Sequence, residues 1–269
     1  MRFAKAHAYG NDFLYVEKPL TAGVDLPRLA REICDRHTGV GADGLIVFQP
    51  AGGRASMTLF NADGSRAEVS GNGVRGLAAL MLRHGAVDGT EVTIQTDAGP
   101  KRLTLIEPSA ERPTFRAAMG IPRDLRQLPA TAAGEPLILV VMDFGNPQCV
   151  VLGPLPDEAR FRRLGAALER HELFPGGTNV EFAEVDSNGD VRILIWERGV
   201  GPTWSSGTGS CASLVAAAAF GGARRQATVV APGGPQVVEW LDDSVYLTGW
   251  AEVVCEGEWL RAVSPSSRP

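Results

Sequence analysis

The chain has 269 residues and a formal net charge of −5, with 44% hydrophobic and 21% charged residues. These proportions are typical of a globular protein and exclude a disordered or fibrous chain. The acidic balance argues against nucleic acid as a partner, because no basic surface is available to release counterions from a phosphate backbone. At this length we expect two packed units of roughly 130 residues each.

Neither a leader nor a membrane span is predicted. Residues 1–5 begin no long apolar run, and the longest apolar stretches, 137–142 and 214–220, are too short to cross a bilayer. We therefore expect a cytoplasmic protein with no membrane partner. The four cysteines lie far apart, without the spacing of metal ligands, which predicts free thiols and no metal site: Cys34, Cys149, Cys211 and Cys255.

The sequence repeats itself at a nearly constant offset. Gly10-Asn11 recurs 135 residues later as Gly145-Asn146, and Ser70–Gly73 recurs 136 residues later as Ser206–Gly209. Two further pairs follow the same order, 136 residues apart: Gly41–Asp43 with Gly177–Asn179, and Phe60-Asn61 with Trp196-Glu197. The spacing predicts an internal duplication, with each copy covering about half of the chain.

Both copies show the same order of predicted elements. In the first copy, strands at 44–48 and 57–60 lead through the Ser-Gly-x-Gly loop to an apolar helix at 77–82, which Gly85 ends. The second copy has strands at 180–185 and 191–196, a helix at 212–219 and a Gly221-Gly222 stop. Further strands are predicted at 91–94, 227–230 and 251–254, and the boundary between the copies at 107–113.

The two Ser-Gly-x-Gly segments predict a ligand site. A helix N-terminus presents free N–H groups and a partial positive charge, so it binds a carboxylate. If the two copies face each other, Ser70 and Ser206 would stand on opposite sides of the α-carbon of that ligand. Each serine is also an ordinary N-cap residue, and a purely structural role accounts for either one taken alone.

A second glycine motif, Gly39–Gly44, matches the G-x-G-x-x-G pattern of dinucleotide-binding proteins. The true fingerprint follows a strand and opens a helix. Here the motif follows a helix-like stretch at 29–36 and opens the strand at 45–48. Its context therefore argues against nucleotide binding.

Taken together, several segments resemble the diaminopimelate epimerases and their cofactor-independent amino-acid racemase relatives, over nearly the whole chain. The matching segments are Gly10–Phe13, Arg36–Gly44, Phe60–Ser65, Gly71–Arg75, Gly145–Pro147, Thr178–Val180, Glu197–Gly201 and Gly207–Gly209. The resemblance implies an α+β fold with two pseudo-symmetric α/β lobes, each a mainly antiparallel sheet wrapped around a central helix. The C-terminal strand would return to the first lobe, which gives lobes of 1–113 plus 253–269 and of 114–252.

The resemblance also implies a function. It predicts a cytoplasmic isomerase of lysine and cell-wall precursor synthesis that converts LL-diaminopimelate to the meso form in an interlobe cleft, without pyridoxal phosphate, another cofactor or metal; a homodimer is one expected form. The reacting carboxylate would bind Gly71, Asn72, Gly207 and Thr208. The distal carboxylate and amino group would bind Asn11, Asn61, Asn146, Asn179 and Arg198, and the reacting amino group Glu197.

The chain departs from the family at the two catalytic bases. The family uses two cysteines, whereas this sequence has Ser70 and Ser206, and a hydroxyl needs a neighbouring base to accept its proton. Gln148 also stands where the family has histidine, and Gly44 where some members have glutamine. Three interpretations remain: an active enzyme with native serines, including a related racemase, isomerase or dehydratase; a cysteine-to-serine variant that traps substrate; and a catalytically silent amino-acid-binding protein.

Overall fold

A computed structural model describes residues 1–261. The end of the segment that the sequence assigns to the first lobe, residues 262–269, lies outside the described residues. The chain divides into two compact units, one of Met1–Ala117 together with the segment that begins at Trp250, and one of Ala118–Gly249. Within residues 1–261, no helix combines the length and the apolar character needed to cross a membrane.

Eight strands and two α-helices precede residue 121, together with a short 3-10 helix at Lys18–Thr21. In chain order they are β1 (Arg2–Ala8), β2 (Asn11–Glu17), α1 (Leu26–Cys34), β3 (Gly44–Pro50), β4 (Arg54–Asn61), β5 (Arg66–Ala67), α2 (Gly71–Arg83), β6 (Glu91–Thr96), β7 (Gly99–Glu107) and β8 (Thr114–Gly120).

The remaining elements repeat this order, with one additional strand before it, Arg123–Ala132, and one after it, Glu252–Glu258. They are β9 (Arg123–Ala132), β10 (Glu135–Asp143), β11 (Pro147–Leu152), α3 (Glu158–Glu169), β12 (Asn179–Val185), β13 (Val191–Glu197), β14 (Gly201–Thr203), α4 (Gly207–Phe220), β15 (Gln226–Ala231), β16 (Gly234–Trp240), β17 (Val245–Trp250) and β18 (Glu252–Glu258).

The two units share one strand topology. In the first, β18, β1 and β2 pair antiparallel, β2 pairs parallel with β3, β3 antiparallel with β4, β4 parallel with β6, and β6 and β7 continue antiparallel to β8. The second repeats this pattern from β9 to β17, with parallel pairs β11–β12 and β13–β15. The predicted α+β fold of two pseudo-symmetric halves is confirmed.

Each unit encloses one central helix, α2 in the first and α4 in the second. Ten residues of each helix are buried, so neither has a face left for solvent. α2 contacts β1, β2, β6, β7 and β18, and α4 contacts β11, β12, β13, β15 and β16. In α2, burial of Leu77, Leu80 and Met81 contributes roughly 1.5–3 kcal/mol each. Gly85, with φ +65°, follows α2, and Gly221-Gly222 follows α4, as the sequence predicts.

The other face of each sheet is covered by an outer helix. Leu29 and Ile33 of α1 pack with Leu45 and Val47 of β3, and α3 packs in the same way against β12. Because side chains alternate along a strand, the residues between these apolar ones point toward the central helix. This alternation places Ile46 beneath α2 and Glu181 beneath α4.

All four cysteines are free thiols. Cys34, Cys149 and Cys211 are buried, whereas Cys255 is exposed. Burial, reinforced by the nearby carboxylates of Asp12 and Asp43, raises the pKa of Cys34 to about 12. The Cys34 thiol therefore stays neutral at physiological pH.

Candidate active site

Ser70 caps the first central helix. Its backbone is extended, with φ −128° and ψ 123°, and its Oγ accepts a hydrogen bond of 3.1 Å from the Gly73 amide. A Cβ on Gly73 would lie 2.7 Å from Cδ1 of the fully buried Ile46, so a larger residue here would require the Ile46 side chain to shift. The first N–H groups of an α-helix can donate to an anion, and in α2 these groups belong to Gly71 and Asn72.

Two of the predicted asparagines meet beside this cap. The buried Asn72 donates from Nδ2 to Asn11 Oδ1 at 3.1 Å, and Asn11 Nδ2 donates to Asp43 Oδ2 at 2.7 Å. Asn61 ends β4 opposite Gly44, but its amide donates to Ser65 Oγ at 2.9 Å. The first unit thus joins Asn11 and Asn72 directly, whereas Asn61 has a separate partner.

A network of ion pairs holds Asp43, the hydrogen-bond acceptor of Asn11. Asp12 is 8% exposed; it lies 2.9 Å from Lys5 Nζ and 2.7 Å from Arg36 Nη2, and the same Arg36 nitrogen is 2.7 Å from Asp43 Oδ1. Burial alone would raise the pKa of Asp12, but hydrogen bonds from Arg36 and Lys5 outweigh it and hold this pKa below its usual value. The network fixes Asp43, which in turn orients the Asn11 amide.

Replacing Asp12 by asparagine is expected to lower the free energy of unfolding of the first unit by about 2 kcal/mol at pH 7. This value lies between those of buried and surface ion pairs, because Arg36 is half-exposed. A lowered folded-state pKa contributes stability above the ordinary aspartate value of 3.8, and this stability disappears as the pH falls through the folded pKa. Urea unfolding should therefore show a difference between wild type and Asp12→Asn that shrinks between pH 7 and pH 3.

The matched control for this variant is Asp88→Asn, an exposed aspartate of the same unit. It should change the free energy of unfolding by less than about 0.5 kcal/mol at either pH. An Asp12→Asn effect of equal size at pH 3 and pH 7 would contradict the assignment of that stability to the ionised carboxylate.

Ser206 caps the second central helix with the same geometry. Its φ and ψ are −136° and 125°, and its Oγ accepts a hydrogen bond of 3.2 Å from the Gly209 amide. Ser206 is 5% exposed, and Gly207 beside it is also buried. The duplicated sequence motif is therefore a duplicated structural motif, a serine-capped helix start enclosed by sheet.

The amides of the second unit gather around Gln148. This side chain is fully buried, and its Nε2 donates to Asn146 Oδ1 at 2.7 Å and to Thr208 Oγ1 at 3.2 Å. Gln148 thus links two of the predicted binding residues. A glutamine amide does not titrate near neutral pH, so Gln148 orients these groups without acting as a base.

The remaining predicted residues lie at the paired ends of β12 and β13. Asn179 begins β12, and its Oδ1 accepts a hydrogen bond of 2.9 Å from the Arg198 amide. Glu197 ends β13, and the exposed Arg198 donates from Nη1 to the Gly176 carbonyl at 3.2 Å. An exposed guanidinium next to a carboxylate suits a zwitterionic ligand, with Arg198 as a carboxylate fork and Glu197 as an acceptor for an ammonium.

The sequence interpretation assigned no role to several residues of these sites. Three of these residues lie in segments that resemble the family: Asp12, Arg36 and Asp43. Nothing in their spacing along the sequence shows that they form one network. Glu181, a fully buried carboxyl beneath α4, was missed because its strand looks uniformly buried. A comparison of the two copies shows an apolar residue in the first copy at either offset, Leu45 at 136 or Ile46 at 135, and the structure identifies Ile46 as the counterpart.

The motif Gly39–Gly44 follows α1 and enters β3. It therefore lies in a helix-to-strand connection, not at the start of a helix. Across the part of the chain that the structure describes, no group of three or more His, Cys, Asp or Glu side chains is arranged to hold a metal ion.

Comparison with known proteins places this architecture in one family. The pattern of the family described as Diaminopimelate epimerase matches residues 3–123 and 140–254. A diaminopimelate epimerase from Desulforudis audaxviator is 42% identical over 97% of this chain and 100% of its own length, and one from Desulfitobacterium hafniense is 38% identical over 96% and 97%.

Solved structures show the same fold at low sequence identity. A probable proline racemase from Agrobacterium radiobacter K84 superimposes with a TM-score of 0.74 at 18% identity, over 99% of this chain and 94% of that one. A hydroxyproline epimerase from Agrobacterium vitis gives 0.70 at 18% identity, over 96% and 91%. With the duplicated serine-capped helices and the whole-length sequence match, these findings show that the chain belongs to the diaminopimelate epimerase family.

Proposed function

We propose that this protein inverts the α-carbon of LL-diaminopimelate to give the meso form, by a two-base proton transfer that requires no pyridoxal phosphate. The observation that carries the proposal is the pair of serine-capped helix starts in two units of the same topology. Full-length relatives that are named diaminopimelate epimerase support this substrate. The two lobes, proposed as 1–113 with 253–269 and 114–252, would act together on one substrate.

The reacting carboxylate would bind to the two helix starts. The first N–H groups of an α-helix lack intrahelical partners, and the helix dipole adds a stabilisation of about 0.3–2 kcal/mol for an anion. We assign this carboxylate to Gly71, Asn72, Gly207 and Thr208. Neutralising it in this way makes the neighbouring α-proton more acidic, which lowers the barrier to its removal.

The other polar groups of the substrate would bind at the strand ends of each unit. We assign the amino group at the reacting carbon to Glu197. The distal carboxylate and amino group are assigned to Asn11, Asn61, Asn146, Asn179 and Arg198. Binding energy from the distal groups would orient the reacting carbon between the bases.

Ser70 and Ser206 are the proposed bases, one for each face of the α-carbon. On one face, the serine would first give up its hydroxyl proton to a neighbouring base, and its Oγ would then form an O–H bond with the α-proton as the C–H bond breaks. On the other face, the O–H bond of the second serine would break as its proton forms the new C–H bond. Serine is a much weaker acid than cysteine, so this step requires assistance from neighbouring groups and exclusion of water.

We further propose that the protein works in the cytoplasm, in lysine and cell-wall precursor synthesis. Its partner would be the free amino acid and not a nucleic acid. A homodimer is the proposed assembly, and light scattering after size-exclusion chromatography tests it.

The experiment is incubation with LL- or meso-diaminopimelate in deuterated water, followed by NMR of the α-protons. Exchange with inversion is the expected result. The two serines favour one alternative, a binding protein without turnover. Calorimetric binding of diaminopimelate without any α-proton exchange would establish that alternative and overturn the epimerase.

A further inference from the structure

A buried acid lies directly beneath the cap of the second unit. Glu181 is fully buried on β12, and within residues 1–261 neither of its carboxyl oxygens has a hydrogen-bond partner. A Cβ on Gly209 would lie 2.5 Å from Glu181 Oε1 and 3.1 Å from Ser206 Cβ. Glu181 and Ser206 therefore lie against the same face of Gly209, whose missing side chain leaves room for the carboxyl.

The first unit shows that the fold does not require an acid here. The position equivalent to Glu181 is Ile46, which lies beneath Gly73 as Glu181 lies beneath Gly209. Two neighbouring buried positions differ in the same way: Val74 and Leu77 of α2 correspond to Ser210 and Ser213 of α4. An unpartnered buried carboxyl destabilises the folded protein compared with an apolar side chain, so its presence in one unit only calls for a function.

The surroundings keep the Glu181 carboxyl neutral. Burial, and to a smaller extent the carboxylate of Glu197 on β13, raises the pKa of Glu181 well above its usual range. On β11, burial and then the Glu181 carboxyl raise the pKa of the Cys149 thiol, which stays protonated. α4 carries Cys211 in the core of the unit. Neither β11 nor α4 thus brings a cation that would favour the ionised form.

We propose that Glu181 is a positioning residue that holds the proton for the Ser206 side of the reaction. The inference rests on the proposed function. As Ser206 donates its hydroxyl proton to the α-carbon, a C–H bond forms and the Ser206 O–H bond breaks. For the next transfer, Ser206 Oγ would turn from the Gly209 amide toward Glu181. The carboxyl O–H bond of Glu181 would then break as a new Oγ–H bond forms, leaving a carboxylate, and in the opposite direction every bond change is reversed. Ile46 provides no such proton to Ser70, so the two caps are functionally unequal.

The test compares Glu181→Gln and Glu181→Ile with wild type, and uses Glu184→Gln as a control on the same strand. Without the stored proton, kcat for α-proton exchange should fall about 100-fold in both variants, since general acid–base assistance contributes on that order. KM should stay within about twofold of wild type, because Glu181 acts through Ser206 and not on the substrate. Glu181→Ile, which reproduces the first unit, should be at least as stable as wild type to urea. Glu184→Gln should leave all three quantities unchanged.

Two readouts separate this role from a structural one. The alkaline limb of the kcat profile, where Glu181 would ionise, should disappear in Glu181→Gln. The infrared carbonyl band of an un-ionised carboxylic acid should be present in wild type at pH 7 and missing in Glu181→Gln. An ionised Glu181 at pH 7, or kcat of Glu181→Gln within twofold of wild type, would overturn the proposal. If wild type itself shows no exchange on either substrate, both the proposed function and the proposed proton transfer are wrong. The infrared band then still shows whether Glu181 carries a proton.

Discussion

Changing both cap serines to cysteine, Ser70→Cys with Ser206→Cys, is expected to increase the rate of α-proton exchange about 100-fold or more. A thiol has an ordinary pKa near 8.5, and a helix N-terminus lowers it further, so one cap can supply a thiolate base and the other a thiol acid near neutral pH. A serine hydroxyl provides neither readily, and efficient general acid–base catalysis contributes on the order of 100- to 10,000-fold. NMR in deuterated water measures the exchange directly.

Each single variant is the control for the double one. Ser70→Cys or Ser206→Cys alone leaves a hydroxyl on one face, so the gain of each should be much smaller than that of the pair. Both changes remove an oxygen that accepts from the third residue of the helix, at a cost of about 1 kcal/mol per cap. A double variant that folds and exchanges no faster than wild type would show that the caps are not the bases.

Gly39→Ala is expected to destabilise the first unit by about 3 kcal/mol. A Cβ at this position would lie 2.5 Å from the Glu32 carbonyl oxygen, 2.6 Å from that of Ile33 and 2.7 Å from that of Asp35. All three are backbone atoms at the end of α1, which cannot turn aside as a side chain would, so the overpacking must move the connection to β3. That connection carries Asp43, the acceptor of the Asn11 amide, so KM for diaminopimelate should rise as well.

Gly176→Ala provides the control, since a Cβ there meets no atom within 4 Å and its φ is not in the left-handed region. It should be neutral or slightly stabilising in urea unfolding, because alanine restricts the unfolded chain. Equal stability of Gly39→Ala and Gly176→Ala would show that the connection after α1 adapts freely and does not hold Asp43.

The sequence predicts the repeated parts of this molecule well, because each local pattern occurs twice in a duplicated chain. The helices after Ser70 and Ser206, and the strands before them, lie where the pattern indicates. Pairings between distant segments were not accessible in this way. β2 has no regular alternation of apolar and polar residues. The partners of Asp12 lie on β1 (Lys5) and in the connection after α1 (Arg36), and only the folded chain brings them together.

The same difference between local patterns and distant contacts applies to the candidate site. Ser70 and Ser206 could be found from spacing and residue type alone. The contact of Asn11 with Asn72 and the link from Gln148 to Thr208 depend on side-chain directions that only the folded chain defines. The burial of Glu181 was not predicted, because a buried acid cannot be recognised from the sequence when its strand neighbours, Val180 and Phe182, are apolar.

The pairing of β1 with β18 has a consequence for biosynthesis. The amino group of Met1 donates to the Trp259 carbonyl at 2.7 Å, so the first unit joins the two ends of the described chain. During synthesis on the ribosome, the second unit, an uninterrupted stretch, can complete its sheet as soon as it emerges. β1 must wait with an open edge until the last strand has been made, and nascent chains that stop before residue 252 would expose that edge to aggregation.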